Sequence, residues 1–218
     1  MALFPSVRES RGYYSAVPAI GITGGISTGK STFTQCLRQL LPEAQFFDAD
    51  IAARQVVDHE EVKGELRGIF GPGAFSDGGD LNREAVRAIV FQDAAKRGAL
   101  EKILHPRIRR QWSIEADKHR KSPKLFFADI PLLYETGGEI LCDRVVVVAC
   151  SPEIQLANLM RRMKLERAPA EAMIKAQMPL EEKIKRADHL IWNNGDKSAL
   201  AGQAELLVDL WRQEKWTK

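Results

Sequence analysis

Short apolar runs divide the chain, and segments with helical spacing separate most of them. The runs are Ala19–Thr23, Gln45–Phe47, Leu125–Ile130, Arg144–Ala149 and His189–Trp192. The fourth run contains four consecutive valines, which is typical of a strand buried on both faces of a sheet. Strands that alternate with helices predict an α/β fold, with a parallel five-stranded sheet flanked by helices.

Two longer gaps between these strands predict helical insertions. Residues 51–121 carry several helical patterns and no clear strand, so we expect a helical subdomain over one end of the sheet. Within it, Asn82 precedes an amphipathic pattern and is a candidate N-cap. Residues 154–182 form a second polar, helical stretch between the fourth and fifth strands. The remaining core comprises residues 18–50, 122–153 and 183–218.

Composition excludes two classes of protein. Of the 218 residues, 44% are hydrophobic and 28% are charged, a mixture that can bury a core, so intrinsic disorder is not expected. The longest strongly apolar run, Val145–Cys150, is far shorter than the roughly 20 residues of a membrane-spanning helix. The net charge of +3 permits an anionic ligand without requiring nucleic acid.

Cysteine usage and the first residues predict a reducing compartment. Cys36, Cys142 and Cys150 are an odd number of cysteines without the spacing of a metal site. Residues 1–17 are polar and lack the apolar segment of a signal peptide, so we expect them to be an extension of the core. A cytoplasmic location is the simplest setting for such a chain.

A phosphate-binding motif follows the first predicted strand. Residues 24–31 match G-x-x-x-x-G-K-[ST], and a helical pattern begins at Lys30. Backbone amides of such a loop surround phosphates, the lysine reaches the β- and γ-phosphates, and the hydroxyl of Ser31 is a ligand for Mg²⁺. The motif predicts binding of a nucleoside triphosphate with Mg²⁺. The candidate binding residues are Gly25, Ile26, Ser27, Thr28, Gly29, Lys30, Ser31 and Thr32.

Three acidic residues follow strands whose carboxyl ends should meet near this loop. Asp48 and Asp50 follow the second strand, and Asp129 lies near the end of the third. A kinase needs a carboxylate to orient and deprotonate the acceptor hydroxyl, and Mg²⁺ needs one directly or through water. One of the first two acids is also expected to cap the following helix. Asp129 fits equally well a metal-binding acid and a solvated acid at a strand end.

Two signatures of GTPases are missing from their expected positions. Residues 193–196 read Asn-Asn-Gly-Asp instead of N-K-x-D. Asp129 is followed by Ile-Pro-Leu, without the glycine of D-x-x-G. A phosphotransferase is therefore favoured over a GTP-dependent switch.

Further motifs resemble those of the dephospho-CoA kinase family, and they occur in the family's order. The combination of D-A-D, H-P and P-L-L-Y-E is more specific than the phosphate loop alone. The matching stretches are residues 21–26 with 29–31, Asp48-Ala49-Asp50 with Ala53-Arg54, Leu81-Asn82-Arg83, Leu104-His105-Pro106 with Ile108, Pro131-Leu132-Leu133-Tyr134-Glu135, and Ile191 with Asn193-Asn194-Gly195. Two positions depart from the family pattern. Ser27 stands where glycine or alanine is frequent, and Met163 follows Arg162 where an aspartate is usual.

This resemblance implies ATP-dependent phosphorylation of the ribose 3′-hydroxyl of dephospho-CoA. It also implies a P-loop kinase fold, with a CoA-binding domain at residues 51–121 and a lid at residues 154–182. The implied catalytic residues are Asp50 as general base, Lys30, and Arg162 as the lid arginine. Arg161, Lys164 and Arg167 are alternatives for the lid role.

The resemblance also implies the acceptor and adenine contacts, whereas the residue patterns supply the candidate metal ligands. The acceptor pocket is expected to contain Thr23, Asp50, Arg54, His105 and Leu133. Asn193 and Gly195 are expected on the adenine side. The candidate metal ligands are Ser31, Asp48 and Asp129.

Two features have a simpler structural interpretation. His105 before Pro106 fits a helix cap as well as a ligand contact. A basic run around Trp112 is interleaved with Glu115 and Asp117, which favours a solvated helix face over a nucleic-acid interface. Its members are Arg107, Arg109, Arg110, Lys118, Arg120 and Lys121.

Two other functions stay open at this point. One is a kinase for another small metabolite or nucleotide, and the other is a regulatory protein that binds nucleotide without phosphotransfer. Asp50 and the lid favour a kinase, since a sensor needs no acceptor base. The expected partner is a small molecule, with no nucleic acid and no membrane, and the chain is expected to be a monomer or a weak homo-oligomer.

Overall fold

Five parallel strands form one sheet at the centre of the fold. In this computed structural model, which describes residues 18–119, 122 and 124–213, the strand order is β2-β3-β1-β4-β5. The strands are β1 (Ala19–Gly24), β2 (Gln45–Asp48), β3 (Phe126–Asp129), β4 (Arg144–Ala149) and β5 (His189–Trp192). The predicted α/β fold with a five-stranded parallel sheet is confirmed. The predicted extension at residues 1–17 lies outside the described residues.

Helices connect the strands and cover the sheet. They are α1 (Lys30–Leu40), α2 (Ala49–Val57), α3 (Glu60–Phe70), α4 (Arg83–Gln92), α5 (Ala94–His119), α6 (Pro152–Met163), α7 (Arg167–Lys175), α8 (Leu180–Lys185) and α9 (Lys197–Gln213). Short 3₁₀ turns lie at Pro72–Ala74 and Gly138–Leu141. In the described part of the chain, no helix is both long enough and apolar enough to cross a membrane.

The sheet is buried on both faces, as the valine run predicts. On one face, Ile20, Val146 and Val148 pack in a cluster with α1 and α9, which includes the buried Trp211. On the other face, Val145 and Val147 belong to a second cluster with part of α5. Because β1 lies between β3 and β4 with both faces covered, its carboxyl end is the part that can meet a ligand.

The helices between β2 and β3 have an apolar cluster of their own. Val56, Leu66, Phe70 and Val86 from α2, α3 and α4 are buried together. These helices begin at Ala49, two residues before the predicted start of the insertion. Asn82 is the N-cap of α4, as predicted, and its side chain accepts a hydrogen bond from the Ala85 amide at 3.1 Å.

The predicted cap at His105 is wrong, because His105 and Pro106 lie inside the continuous helix α5. A proline normally begins or breaks a helix, since it lacks an N–H group and crowds the preceding turn. Tertiary packing outweighs this cost here. The first half of α5 packs Leu100 and Ile103 on the insertion, and its second half packs Trp112 on the sheet.

The basic run on α5 is only partly the solvated face that was predicted. Arg107 forms an ion pair with Glu65 of α3, at an Nη2–Oε1 distance of 2.5 Å. Arg109 donates a hydrogen bond to the Thr136 carbonyl at 3.0 Å. Both side chains therefore tie α5 to neighbouring segments, which the charge pattern of one helix does not reveal. Arg110 and Lys118 are exposed, and Arg120 and Lys121 lie outside the described residues.

Helices α6, α7 and α8 correspond to the second predicted insertion. α6 begins at Pro152, and Ser151 caps it by accepting a hydrogen bond from the Ile154 amide. The boundary predicted at residue 182 falls within α8, where Lys183 is fully buried. The end of this helical segment is therefore part of the sheet's packing.

Replacing Pro106 with alanine should stabilise the protein. Pro106 is exposed, so Pro106→Ala restores a helical N–H without disturbing the core. After allowing for the greater freedom of the unfolded chain, we expect a gain of about 2 kcal/mol in the free energy of unfolding, measured with urea. Arg110→Ala is a matched control on the same helix and should change stability by less than about 0.5 kcal/mol. Equal or lower stability of Pro106→Ala would contradict this account of α5.

Candidate active site

The phosphate loop connects β1 to α1, in the context that the motif predicts. Gly29 is the N-cap of α1, and the N–H groups in the first turn of this helix have no intrahelical partner. These groups and the positive end of the helix favour an anion. Within the loop, Thr28 donates a hydrogen bond through its hydroxyl to the Gly25 carbonyl at 2.9 Å. The loop is thus held in a turn before any ligand binds.

Gly29 is the position at which the loop requires glycine. Its φ of 97° lies in the left-handed region, and a Cβ placed there would lie 2.1 Å from Nδ2 of Asn193. The same amide nitrogen donates a hydrogen bond to the Thr28 carbonyl at 2.9 Å. Asn193, which follows β5, therefore closes over the loop. Gly195 lies further along the chain, against Ala199.

Ser27 is strained where the resembling family often has a smaller residue. Its φ is 61°, a left-handed conformation that is unfavourable for a residue with a side chain. Its hydroxyl oxygen is buried and has no hydrogen-bond partner among the described residues. The loop therefore holds a local strain at the position where the sequence departs from the family pattern.

Lys30 forms an ion pair with Asp129 at the end of β3. The second carboxylate oxygen of Asp129 accepts a hydrogen bond from the Thr34 hydroxyl at 2.9 Å. Asp129 is 5% exposed, so it is not the solvated strand-end acid that was one of its two interpretations. It is a buried carboxylate that holds the phosphate-loop lysine.

One cavity of about 700 Å³ joins the loop to residues from other parts of the chain. Besides Lys30 of the loop, the lining includes Asp50 of α2 and two arginines of α6. The lining residues are Gly24, Gly25, Ile26, Ser27, Gly29, Lys30, Ser31, Thr32, Asp50, Pro131, Asn158, Arg161, Arg162, Gln177 and Asn193. A volume of this size suits a nucleotide-sized ligand.

Asp48 and Asp50 have different surroundings. Oδ1 of Asp48 accepts hydrogen bonds from the amides of Asp50 and Ile51, at 2.9 and 3.0 Å, so Asp48 is the N-cap of α2. Asp50 lines the cavity instead. Partial burial raises the pKa of its carboxyl, Lys30 opposes this rise, and Asp48 and Asp129 add to it. The cap expected for one of the two acids thus belongs to Asp48.

Two glutamines from the helical segment between β4 and β5 hold the loop. Ile26 donates its amide to Oε1 of Gln177 at 2.8 Å, and its carbonyl accepts a hydrogen bond from Nε2 of Gln155 at 2.9 Å. Arg161 donates to Oδ1 of Asn158 at 2.8 Å. Helical spacing alone could have indicated the inward polar face of α6 formed by Gln155, Asn158 and Arg162. No short-range pattern marks Gln177, and sequence reasoning also missed Thr34.

The predicted lid arginines separate into two groups. Arg161 and Arg162 both line the cavity. Lys164 is the C-cap of α6, in a left-handed conformation, and does not line it. Arg167 pairs with Glu171 on α7, at an Nε–Oε1 distance of 2.7 Å.

The five residues predicted for the acceptor pocket are not all brought together. Asp50 lines the cavity, and exposed Arg54 lies one turn further along α2. His105 is partly exposed on α5, which packs against α2. Thr23 and Leu133 are fully buried, so their side chains offer no surface to a ligand in this structure. Thr23 instead donates a hydrogen bond to the carbonyl of Pro131, a cavity residue, at 2.9 Å.

The donors present fit a magnesium ion bound together with phosphates. Among the described residues, no group of three or more histidine, cysteine or acidic side chains is arranged to hold a metal by itself. Mg²⁺ commonly uses one or two protein oxygens and takes the rest from phosphates and water. Ser31 lines the cavity, and Asp129 is paired with the neighbouring Lys30. These two residues supply the one or two protein oxygens that such an ion needs. Asp48 has one oxygen engaged in the helix cap.

The class of the protein follows from the strand order, from the phosphate loop between β1 and α1, and from one cavity that both Lys30 and Asp50 line: it is a P-loop kinase. Comparison with known proteins then identifies the family. The sequence model of the family described as dephospho-CoA kinase matches residues 18–199. The chain belongs to the dephospho-CoA kinase family.

Individual relatives agree with this family. A dephospho-CoA kinase of Bacillus cereus is 39% identical over 194 residues, covering 88% of this chain and 96% of the relative. Among solved structures, a protein from Thermus thermophilus is similar with 34% identity and a TM-score of 0.73, covering 91% of this chain and 99% of that one. A dephospho-CoA kinase from Campylobacter jejuni has 29% identity and a TM-score of 0.63, covering 88% and 96%.

Replacing Asp50 with asparagine should stabilise the fold in a pH-dependent way. Because the folded-state pKa of Asp50 is raised, its ionised form costs folding free energy at neutral pH. Because the Asp50 side chain is partly open to solvent, which screens this cost, Asp50→Asn should melt only slightly above wild type at pH 7. This difference should shrink as the pH falls through the folded-state pKa, and disappear below the ordinary value of 3.8.

The measurement is the melting temperature of both proteins across this pH range. Asp77→Asn replaces an exposed carboxylate and should leave the melting temperature almost unchanged. A lower melting temperature of Asp50→Asn at pH 7 would show that the ionised carboxylate of Asp50 does not destabilise the folded protein.

Proposed function

We propose that this protein transfers the γ-phosphoryl group of ATP to the ribose 3′-hydroxyl of dephospho-CoA, giving coenzyme A and ADP. The observation that carries the proposal is that the phosphate loop, Lys30 and Asp50 line one cavity. Phosphoryl transfer depends mainly on positioning and on stabilising charge, so a kinase must bring such groups together. Membership of the family supplies the identity of the acceptor.

The phosphates of ATP are assigned to the loop and to the first turn of α1. Lys30 would exchange its partner Asp129 for the β- and γ-phosphates, replacing one anion by another. Asn193 and Gly195 are assigned to the adenine side. Arg162, with Arg161 beside it in the cavity, would neutralise charge that develops on the transferred group.

Mg²⁺ is assigned to Ser31, with Asp129 as the supporting acid. When bound, the ion neutralises charge on the β- and γ-phosphates. Asp48 is the alternative acid, since only one of its carboxylate oxygens is engaged by the cap of α2. Removal of Mg²⁺ with a chelator is expected to abolish turnover.

Asp50 is assigned as the general base that accepts the proton of the 3′-hydroxyl. Its raised pKa makes the ionised carboxylate a stronger base than an ordinary aspartate. Arg54 on the same helix and His105 on α5 are assigned to the acceptor. Thr23 and Leu133 are assigned supporting roles behind Pro131, since both side chains are buried.

The proposal includes a division of the chain into three parts. Residues 18–50, 122–153 and 183–218 form the nucleotide-binding core, residues 51–121 bind the CoA moiety, and residues 154–182 act as a lid. A cytoplasmic location, and a monomeric or weakly self-associating state, belong to the same proposal.

The acceptor is tested by ADP release in a coupled assay. Dephospho-CoA is compared with a panel of nucleosides and nucleotides, and Lys30→Ala is the matched inactive control. We expect ADP release that depends on dephospho-CoA and is largely lost in Lys30→Ala. A signal with another acceptor alone would indicate a kinase for a different metabolite. ADP release that no acceptor stimulates would overturn the proposal in favour of a non-catalytic or hydrolytic role.

The role of Asp50 is tested by a pair of identical substitutions on the same segment. Asp50→Asn should reduce kcat by about 10²–10⁴-fold, the range of a lost general base. Asp48→Asn keeps a residue that caps helices well and should retain most of the activity. If the two variants lose activity equally while both are folded, Asp50 is not the base.

A further inference from the structure

A buried lysine that the proposed chemistry does not use lies behind the phosphate loop. The side chain of Lys183 on α8 is fully buried. Its ammonium group donates to the carbonyls of Gly24 and Pro131, at 3.2 and 3.1 Å, and pairs with Oε1 of Glu135 at 2.8 Å. An ammonium has three N–H donors, so these three acceptors satisfy it completely.

The partners of Lys183 connect the phosphate loop to the segment between α7 and α8. Oε1 of Glu135, in the P-L-L-Y-E motif, also accepts a hydrogen bond from the Met178 amide at 3.0 Å. The preceding residue, Gln177, accepts the Ile26 amide of the loop. Lys183 and Gln177 therefore hold two adjacent parts of the loop from the same chain segment. This segment leads from α7 of the lid back to the sheet.

Burying the charged side chain of Lys183 costs folding free energy, so stabilising the fold does not by itself explain this residue. Desolvation lowers the pKa of Lys183, the pair with Glu135 opposes this, and the nearby charge of Lys30 lowers it further. Buried ion pairs often add no more stability than apolar residues of similar volume. An apolar side chain, however, could not donate to the two backbone carbonyls.

The bond to Gly24 bears directly on the loop, because a peptide group is planar. In a trans peptide, the N–H of Gly25 points opposite to the carbonyl of Gly24. Lys183 therefore sets the plane of the first peptide group of the phosphate loop. The same ammonium donates to the carbonyl of Pro131, a residue that also lines the cavity.

We propose that Lys183 is a positioning residue for nucleotide binding. It orients the first peptide of the phosphate loop and, through Glu135, links the loop to the end of the lid. The nucleotide part of this inference rests on the proposed function, whereas the loop-ordering part does not.

The experiment separates this role from a contribution to stability alone. Lys183→Met leaves Glu135 as an unpaired charge, so the informative protein is the double variant Lys183→Met with Glu135→Gln. It contains neither charge, and the amide oxygen that replaces the Glu135 carboxylate can still accept a hydrogen bond from the Met178 N–H. Lys185→Met is the matched control, since Lys185 lies on the same helix but pairs with Glu182 at the surface.

Three quantities are measured for each protein: the melting temperature, the Kd for ADP by calorimetry, and the hydrogen-exchange rates of the amides in residues 24–29 without ligand. For the double variant we expect a somewhat lower melting temperature, because the buried Gly24 carbonyl loses its Lys183 donor. We also expect faster exchange in the loop and a Kd raised on the order of tenfold, as for the loss of a charged hydrogen bond. Lys185→Met should match wild type in all three. Glu135→Gln keeps the ammonium and both carbonyl bonds, so its loop exchange should stay near wild type.

Two results would overturn the inference. The first is a stable double variant whose ADP affinity and loop exchange match wild type, which would leave Lys183 a structural role only. The second is faster loop exchange in Lys185→Met equal to that in the double variant. Neither readout uses the acceptor, so absence of turnover with dephospho-CoA in wild type would reject the proposed function without deciding the role of Lys183.

Discussion

The position of β1 is the constraint on which the rest of the structure depends. This strand pairs in parallel with β3 on one side and β4 on the other, and all six of its residues are buried. With both edges and both faces occupied, β1 itself can meet a ligand only at its ends. Because the neighbouring strands run in the same direction, Asp129 and Asn193 arrive at this edge as well.

Charge at this edge is organised around Lys30. Lys30 is held by Asp129, and its field also reaches Asp50 and Lys183. Because Asp129 is buried, a phosphate that drew Lys30 away would leave this carboxylate to be compensated by another cation. The loop is likewise held by Gln155, and this contact explains how a glycine-rich segment keeps one shape.

Sequence patterns predicted those features of the fold that depend on residues close together in the chain. The bounds of β4 and β5 agree with the apolar runs. The signal of β4 is continuous because this strand is buried on both faces, whereas β5 is an edge strand with Leu190 and Trp192 exposed. Asp48 and Asp50 could not be separated until the helix cap was visible. The position of Pro106 inside α5, and the contacts of Lys183, depend on segments distant in sequence. No spacing rule contains that information, since packing against other elements outweighs local preference.

The most direct test of the central claim is the identity of the product. Purified protein with ATP, Mg²⁺ and dephospho-CoA is followed by phosphorus NMR and mass spectrometry. The account predicts one ADP for each product molecule, and a new phosphomonoester coupled to the ribose H3′ proton. A phosphoryl group on another position, or no phosphorylated product from folded and nucleotide-binding protein, would contradict it.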